Sequence, residues 1–316
     1  MSETSNTLGT ILVIVDPTAN VHPAVEKAAI LAQQCHARIE LYACETKESR
    51  ATRYATHLEK GGSTDFIADT RALVDAIAQP LRDRGLDVSV EVETGDPLHA
   101  KLLERTKTTC ADLVVKDTHH HSLAKRTFIT NTDWHLIRGC PVPLLLTKPK
   151  PWPSAPVLMA GVDPGHVNDK PVVLDRRILG WSQALERRLG GRLHVVHAYL
   201  PMLLVAEAAS GMPAMTTSLT PQMMEDARKR ELARVEALIA PFGIAPANVH
   251  VELGTASDVL PRFAQEIGAD VVVMGAISRS GLQRVFIGST AERVLEHLPC
   301  DVCIVKPPDF AAVLPF

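Results

Sequence analysis

A chain of 316 residues, 46% hydrophobic and 22% charged with a net charge of -3, has enough apolar content to fill ordinary globular cores, and its length suggests two domains. It has no basic block of the kind that tracks a nucleic-acid backbone, and no apolar run approaches the roughly 18 residues of a membrane span. Six cysteines in so long a chain do not make a disulfide framework, and the polar start Met1–Thr7 lacks a signal peptide's basic and apolar regions, so a cytoplasmic protein is expected.

In chain order, Thr10 to Asp16 reads as a short, continuously apolar strand closed by an acid. A helix follows from about Pro23 to Gln34, then a strand from Ala37 to Cys44, and a charged, loosely patterned stretch to about Gly62. A helix from about Phe66 to Arg84, a strand from Leu86 to Thr94, a helix from Pro97 to Lys107 and a buried strand from Ala111 to Lys116 come next. After a polar loop, Asp133 to Arg138 reads as a helix and Val142 to Thr147 as the last strand. Fully apolar strands alternating with helices imply a parallel sheet covered on both faces.

Lys148 to Pro156 holds four prolines in nine residues and cannot sustain a helix or a ladder, so it reads as a linker. The pattern then restarts. Val157 to Asp163 repeats the strand closed by an acid, Arg192 to Tyr199 the second strand and Pro221 to Ile239 the long helix. Asn248 to Leu253 and Ser257 to Ile267 supply the third strand and helix, and Ala269-Asp-Val-Val-Val echoes Ala111-Asp-Leu-Val-Val. The expected fold is α/β: two tandem doubly wound, Rossmann-like domains, 1–150 and 151–316, each a five-stranded parallel sheet with helices on both faces. Asp16 and Asp163 fall in separate domains and are not read as a catalytic pair.

The stretch richest in chemistry is an apolar strand, Val271 to Gly275, a loop through Ser278 to Gly288, and a helix opening at Ser289-Thr290 and stopping at Pro299. Ser289 and Glu292 have the spacing of a capping box. The unpaired N–H groups of the first helical turn and the positive end of its dipole suit an anion, and glycine lets a phosphate approach the backbone. An ordinary strand-to-helix connection with turn glycines would carry the same spacing. In an open doubly wound sheet the acid after strand one and this loop after strand four meet where the strand order reverses, which favours a ligand site.

Gly275, Ser278 and Gly288-Ser289-Thr290 closely resemble the nucleotide-binding loop of the universal stress protein family, G-x2-G-x9-G-(S/T), with Ser278 in place of the second glycine. The resemblance covers both halves and the linker, as in the family's tandem-domain members, and implies an adenine-nucleotide alpha hydrolase-like fold. It implies ATP in the second domain, with Asp163 at the adenine or ribose end, main-chain contacts from Val196, and the phosphates held by Gly275, Ser278, Gly288, Ser289 and Thr290. Arg279 or Arg284 would add screening charge. The first half's counterpart, Lys116 to His135, has no glycine, and Asp117 and Asp133 would set negative charge where phosphates should lie, so no nucleotide is expected there. The resemblance also implies an intramolecular pseudo-dimer, with Val142–Thr147 against Val302–Lys306; a homodimer of whole chains stays open.

Other features yield weaker readings. His119 to His121 with His135, and the Cys300-x2-Cys303 pair, are better explained by a solvated loop and by packing than by a metal. The methionine-rich segment 199–224 suits packing, a lid or an apolar ligand. The functional reading is a stress-response regulatory protein that binds an adenine nucleotide without an obvious nucleophile or base. An ATP-hydrolysing enzyme of the same fold, or a carrier of an apolar small molecule, are the alternatives.

Overall fold

The computed structural model describes residues 8–51, 65–120, 127–165, 172–201, 220–276, 289–307 and 310. Ten strands form one sheet in the order β10-β9-β8-β11-β12-β7-β4-β1-β2-β3. In chain order these are β1 (Thr10–Ile14), β2 (Arg38–Glu45), β3 (Val88–Thr94), β4 (Leu113–Asp117), β7 (Leu144–Thr147), β8 (Val157–Gly161), β9 (Arg192–Tyr199), β10 (Val249–Leu253), β11 (Val271–Gly275) and β12 (Asp301–Val305). The short strands β5 (His119–His120) and β6 (Thr127–Phe128) pair with each other as a separate hairpin.

All pairings in the large sheet are parallel except one. That one joins the two halves: β12 runs antiparallel to β7, with Val302 opposite Leu146, Cys303 opposite Leu145 and Ile304 opposite Leu144. The expected pairing of the two terminal strands is therefore present, and it merges the halves into a single sheet. The paired residues of both strands are apolar, Leu144 to Leu146 and Val302 to Ile304, and would form adhesive edges if left uncovered.

Period-two alternation sends successive residues of each strand to opposite faces. Ile11, Val13, Val271, Val273 and Cys303 pack in one core, under the helices Pro23–Cys35, Phe66–Asp83, Val172–Leu189 and Pro221–Ile239. Leu12, Ile14, Val272, Met274 and Ile304 pack in the other, under Leu98–Thr108, Asn131–Gly139, Ala256–Glu266 and Ser289–His297. Each core crosses the junction between halves. Cys300 belongs to the second core and Cys303 to the first, so the two thiols lie on opposite faces and do not converge; burial pushes each up to about 12.

The repeated Ala-Asp has a structural role. Asp112 accepts the N–H groups of Gly9 and Thr10 at 2.8 and 2.9 Å, and Asp270 accepts that of Val157 at 3.0 Å, so each acid fastens the start of its half's first strand.

The linker is not a loose spacer. Asp301, at the start of β12, accepts the Lys148 N–H at 2.8 Å, the Trp152 Nε1–H at 2.7 Å and the Lys27 ammonium at 2.7 Å. Lys148 and Lys306, each just past its half's last strand, reach across the junction reciprocally. Lys148 Nζ donates to the Leu298 carbonyl after the helix Ser289–His297, and Lys306 Nζ to the Arg138 carbonyl in the helix Asn131–Gly139, at 3.3 Å. A cation is favoured at a helix C-terminus, where carbonyls lack partners.

Candidate functional site

Because β1 lies between β4 and β2, and β8 between β11 and β9, the strand order reverses beside β1 and again beside β8. The sheet thus has two switch points, where clefts form beyond the strands' carboxyl ends.

At the second switch point, Met274 is paired with Gly161, so the chain leaves β11 beside the segment that carries Asp163 out of β8. The Asp163 side chain is half-exposed, and its N–H donates to Asp175 Oδ1 at 3.2 Å. Asp175 itself is buried in the helix Val172–Leu189. Ser289 and Thr290 open the helix Ser289–His297. Ser278, Arg279, Arg284 and Gly288 lie outside the described residues, as does 202–219 of the methionine-rich segment.

Two candidates acquire packing explanations. A methyl group on Gly275 would come within 2.7 Å of Leu174 Cδ2 and 3.2 Å of Ile178 Cδ1, both fully buried, so glycine here lets the helix Val172–Leu189 lie against β11. Val196 is inside β9 rather than at its end, and its carbonyl already accepts the Val162 N–H at 3.0 Å. The strand continues to Tyr199, which places His197 closer to the cleft than Val196.

His197 escaped the sequence reading. It is buried, with Nδ1 3.1 Å from the Val162 carbonyl, Nδ1 4.0 Å from Asp163 Oδ1 and Nε2 3.6 Å from Glu231 Oε2. Its partners come from the segment just past β8 and from the helix Pro221–Ile239, and no local motif links them.

At the first switch point, a cavity of about 340 Å³ opens at the ends of β1 and β4. Lys116 on β4 is paired with Asp133 at 2.8 Å and donates to the Asp117 carbonyl at 3.0 Å. Asp133 is completely buried, and its other oxygen accepts the N–H and hydroxyl of Thr130, both at 2.8 Å, completing a capping box for the helix Asn131–Gly139. The expectation that Asp133 sets bare negative charge in the cleft is therefore corrected: Lys116 neutralises it, and the helix cap fixes its position. Asp117 does line the cavity; burial pushes its carboxyl above the usual carboxylate range, against hydrogen bonds from Thr147 and Ala24. Among the other histidines, His135 stacks on His99 with ring centres 3.7 Å apart.

The sequence signature of the universal stress protein family matches residues 7–148 and 173–306, most of the chain, once in each half. The chain belongs to the universal stress protein family. Universal stress protein E of Escherichia coli K12 is 26% identical over 310 residues, covering 95% of this chain and 94% of that protein. The Haemophilus influenzae homologue of universal stress protein E is 29% identical over 205 residues, 65% of each chain. Among solved structures, a putative universal stress protein from Pseudomonas aeruginosa UCBPP-PA14 superposes with a TM-score of 0.74 at 27% identity, covering 97% of this chain and 96% of that one. A universal stress protein from Archaeoglobus fulgidus shares the fold with a TM-score of 0.65 at 17% identity, over 96% of this chain and 100% of its own. The tandem architecture of this family member is thus shared at full length.

Proposed function

We propose that this protein is a stress-response regulatory protein that binds an adenine nucleotide, ATP, in its second half and acts by binding rather than by turnover. The observation carrying this reading is the convergence at the second switch point. Asp163 leaves β8 beside the end of β11, and the helix Ser289–His297 opens after a loop with the G-x2-S-x9-G-S-T spacing. Asp163 would meet the ribose or base, and the first N–H groups of that helix the phosphates. Ser278, Gly288, Ser289 and Thr290 would surround the phosphate chain. Gly275 would contribute mainly by letting the strand pack, and His197, held by the Val162 carbonyl, would border the base end.

Isothermal titration of ATP into the full chain, Gly288→Val and Ser278→Gly tests this. Gly288→Val should abolish binding, and Ser278→Gly should tighten it, since each tenfold change corresponds to about 1.4 kcal/mol. ATP binding that survives Gly288→Val but disappears on changing Asp16 or Lys116 would place the nucleotide in the first half and reject the reading. Phosphate release during the same titration would replace binding by hydrolysis.

A further inference from the structure

We propose that His194 and His250 form an acid-sensitive fastener at the outer edge of the sheet, closed while the two rings share a hydrogen and opened when both are charged. β10 is the last strand of the sheet and is laddered to β9 alone. His250 is paired with Val196, two residues on from His194, so the two rings lie diagonally on the face that the helix Ala256–Glu266 covers.

His194 Nδ1 and His250 Nε2 are 3.0 Å apart and the ring centres 5.2 Å, so the rings meet nitrogen to nitrogen rather than face to face. One of these nitrogens must carry a hydrogen and the other a lone pair. The contact persists when the pair takes up one extra proton, because an imidazolium still donates to a neutral ring. It does not persist with two, which set a hydrogen and a positive charge on each of two nitrogens at contact distance.

The segments entering this end of β9 and β10, residues 190–191 and 240–248, lie within the described residues. The charged groups around the pair are Arg192 from β9, Glu252 from β10, and Arg262 and Glu266 from the helix Ala256–Glu266. Arg262 already pairs with Glu252 at 3.1 Å and with Glu266 at 3.4 Å. The Phe263 ring, centred 4.6 Å from that of His250, covers one side of it. Burial lowers the proton affinity of both rings; His250 and Arg192 add to this at His194, whereas Glu252 and Glu266 oppose it at His250. With both rings held below the ordinary 6.5, the closed pair binds fewer protons than the open one as pH falls through that value, so acid favours opening. The pair sits at the amino ends of its strands, away from the proposed nucleotide cleft at the carboxyl ends, and does not depend on that reading.

Hydrogen exchange of the full chain between about pH 7.5 and 5, read by mass spectrometry and corrected for the intrinsic pH dependence of exchange, tests this. Protection of Val249–Leu253 should fall by up to about tenfold per pH unit below about pH 6.5, the slope of one extra proton taken up on opening, while Thr10–Ile14 keeps its protection. His194→Asn/His250→Gln sets amide groups where Nδ1 and Nε2 stand, keeps a hydrogen bond available and removes both titrations, so it should flatten that dependence. Ring-nitrogen NMR of the wild type should show one of the two rings still neutral at a pH where free histidine is charged. Protection of Val249–Leu253 that is independent of pH, that falls equally in the folded double variant, or that falls in step with Thr10–Ile14 would overturn the inference. If the double variant fails to fold, the wild-type NMR titration decides: two rings that both charge as free histidine does refute the fastener, and one ring held neutral supports it.

Discussion

Asp301 offers the sharpest test of how the two halves hold together. Its carboxylate and the Lys27 ammonium, whose side chains are each 3% exposed, approach to 2.7 Å across the junction. At an effective dielectric constant near 20 this attraction is about 6 kcal/mol, but removing both ions from water costs several kcal/mol each. The upward displacement of the Asp301 carboxyl, dominated by burial, is consistent with a pair that does not repay its desolvation. Asp301→Asn keeps an acceptor oxygen for only one of the Lys148 and Trp152 N–H groups, which now use Oδ1 and Oδ2 respectively, and it strands the Lys27 charge, leaving it the Lys148 carbonyl at 2.7 Å. That variant should lose about 3–5 kcal/mol, and Lys27→Met, which strands Asp301, a similar amount. Lys27→Met/Asp301→Asn removes both charges and should lie well above either single variant, with a coupling of about 3 kcal/mol. Urea unfolding followed by circular dichroism measures all four corners of the cycle. Single variants within about 1 kcal/mol of wild type, or a double variant whose loss equals the sum of the singles, would refute the reasoning.

Two further expectations follow from burial. Lys306 lies against the Arg138 carbonyl, the Phe310 ring at 4.4 Å and the Cys140 thiol, and burial pushes its ammonium from the ordinary 10.5 down to about 7. Between those values the unfolded chain binds more protons than the folded one, so stability rises with pH. Lys306→Met should be the more stable protein below about pH 7 and should show a shallower rise from about pH 7 to 8.5 in thermal melts; a rise unchanged by the substitution would contradict this. Lys148, also depressed by burial, keeps part of the slope. Gly275→Ala should cost about 1–3 kcal/mol in urea unfolding without any ligand, because the new methyl meets Leu174. A cost below about 0.5 kcal/mol would return Gly275 to a purely ligand-contacting role.

The strands and most helices could be read from the chain because a strand buried on both faces must be continuously apolar, and a duplicated pattern repeats that signal. Arg192–Tyr199, Pro221–Ile239 and Val271–Gly275 have the bounds the pattern indicates. The pattern sets no bounds for the helix Val172–Leu189, and Leu144–Thr147 and Leu113–Asp117 each start two residues later than it indicates, since periodicity does not locate where a ladder begins. The glycine-serine spacing marked the second half as the candidate site, but spacing could not distinguish a glycine that meets a phosphate from one that meets Leu174.

The duplicated α/β plan, the faces of its strands and the chemical inequality of its two loops are legible in the chain, because these are properties of local pattern. The stacking of distant elements sets what pattern leaves open: Lys116 pairs with Asp133, Asp117 lines a cavity, and Lys27 and Asp301, 274 positions apart, share a buried contact. Periodicity states which side of an element is buried; the identity of the group it meets there depends on how distant elements are stacked, and no local pattern encodes it.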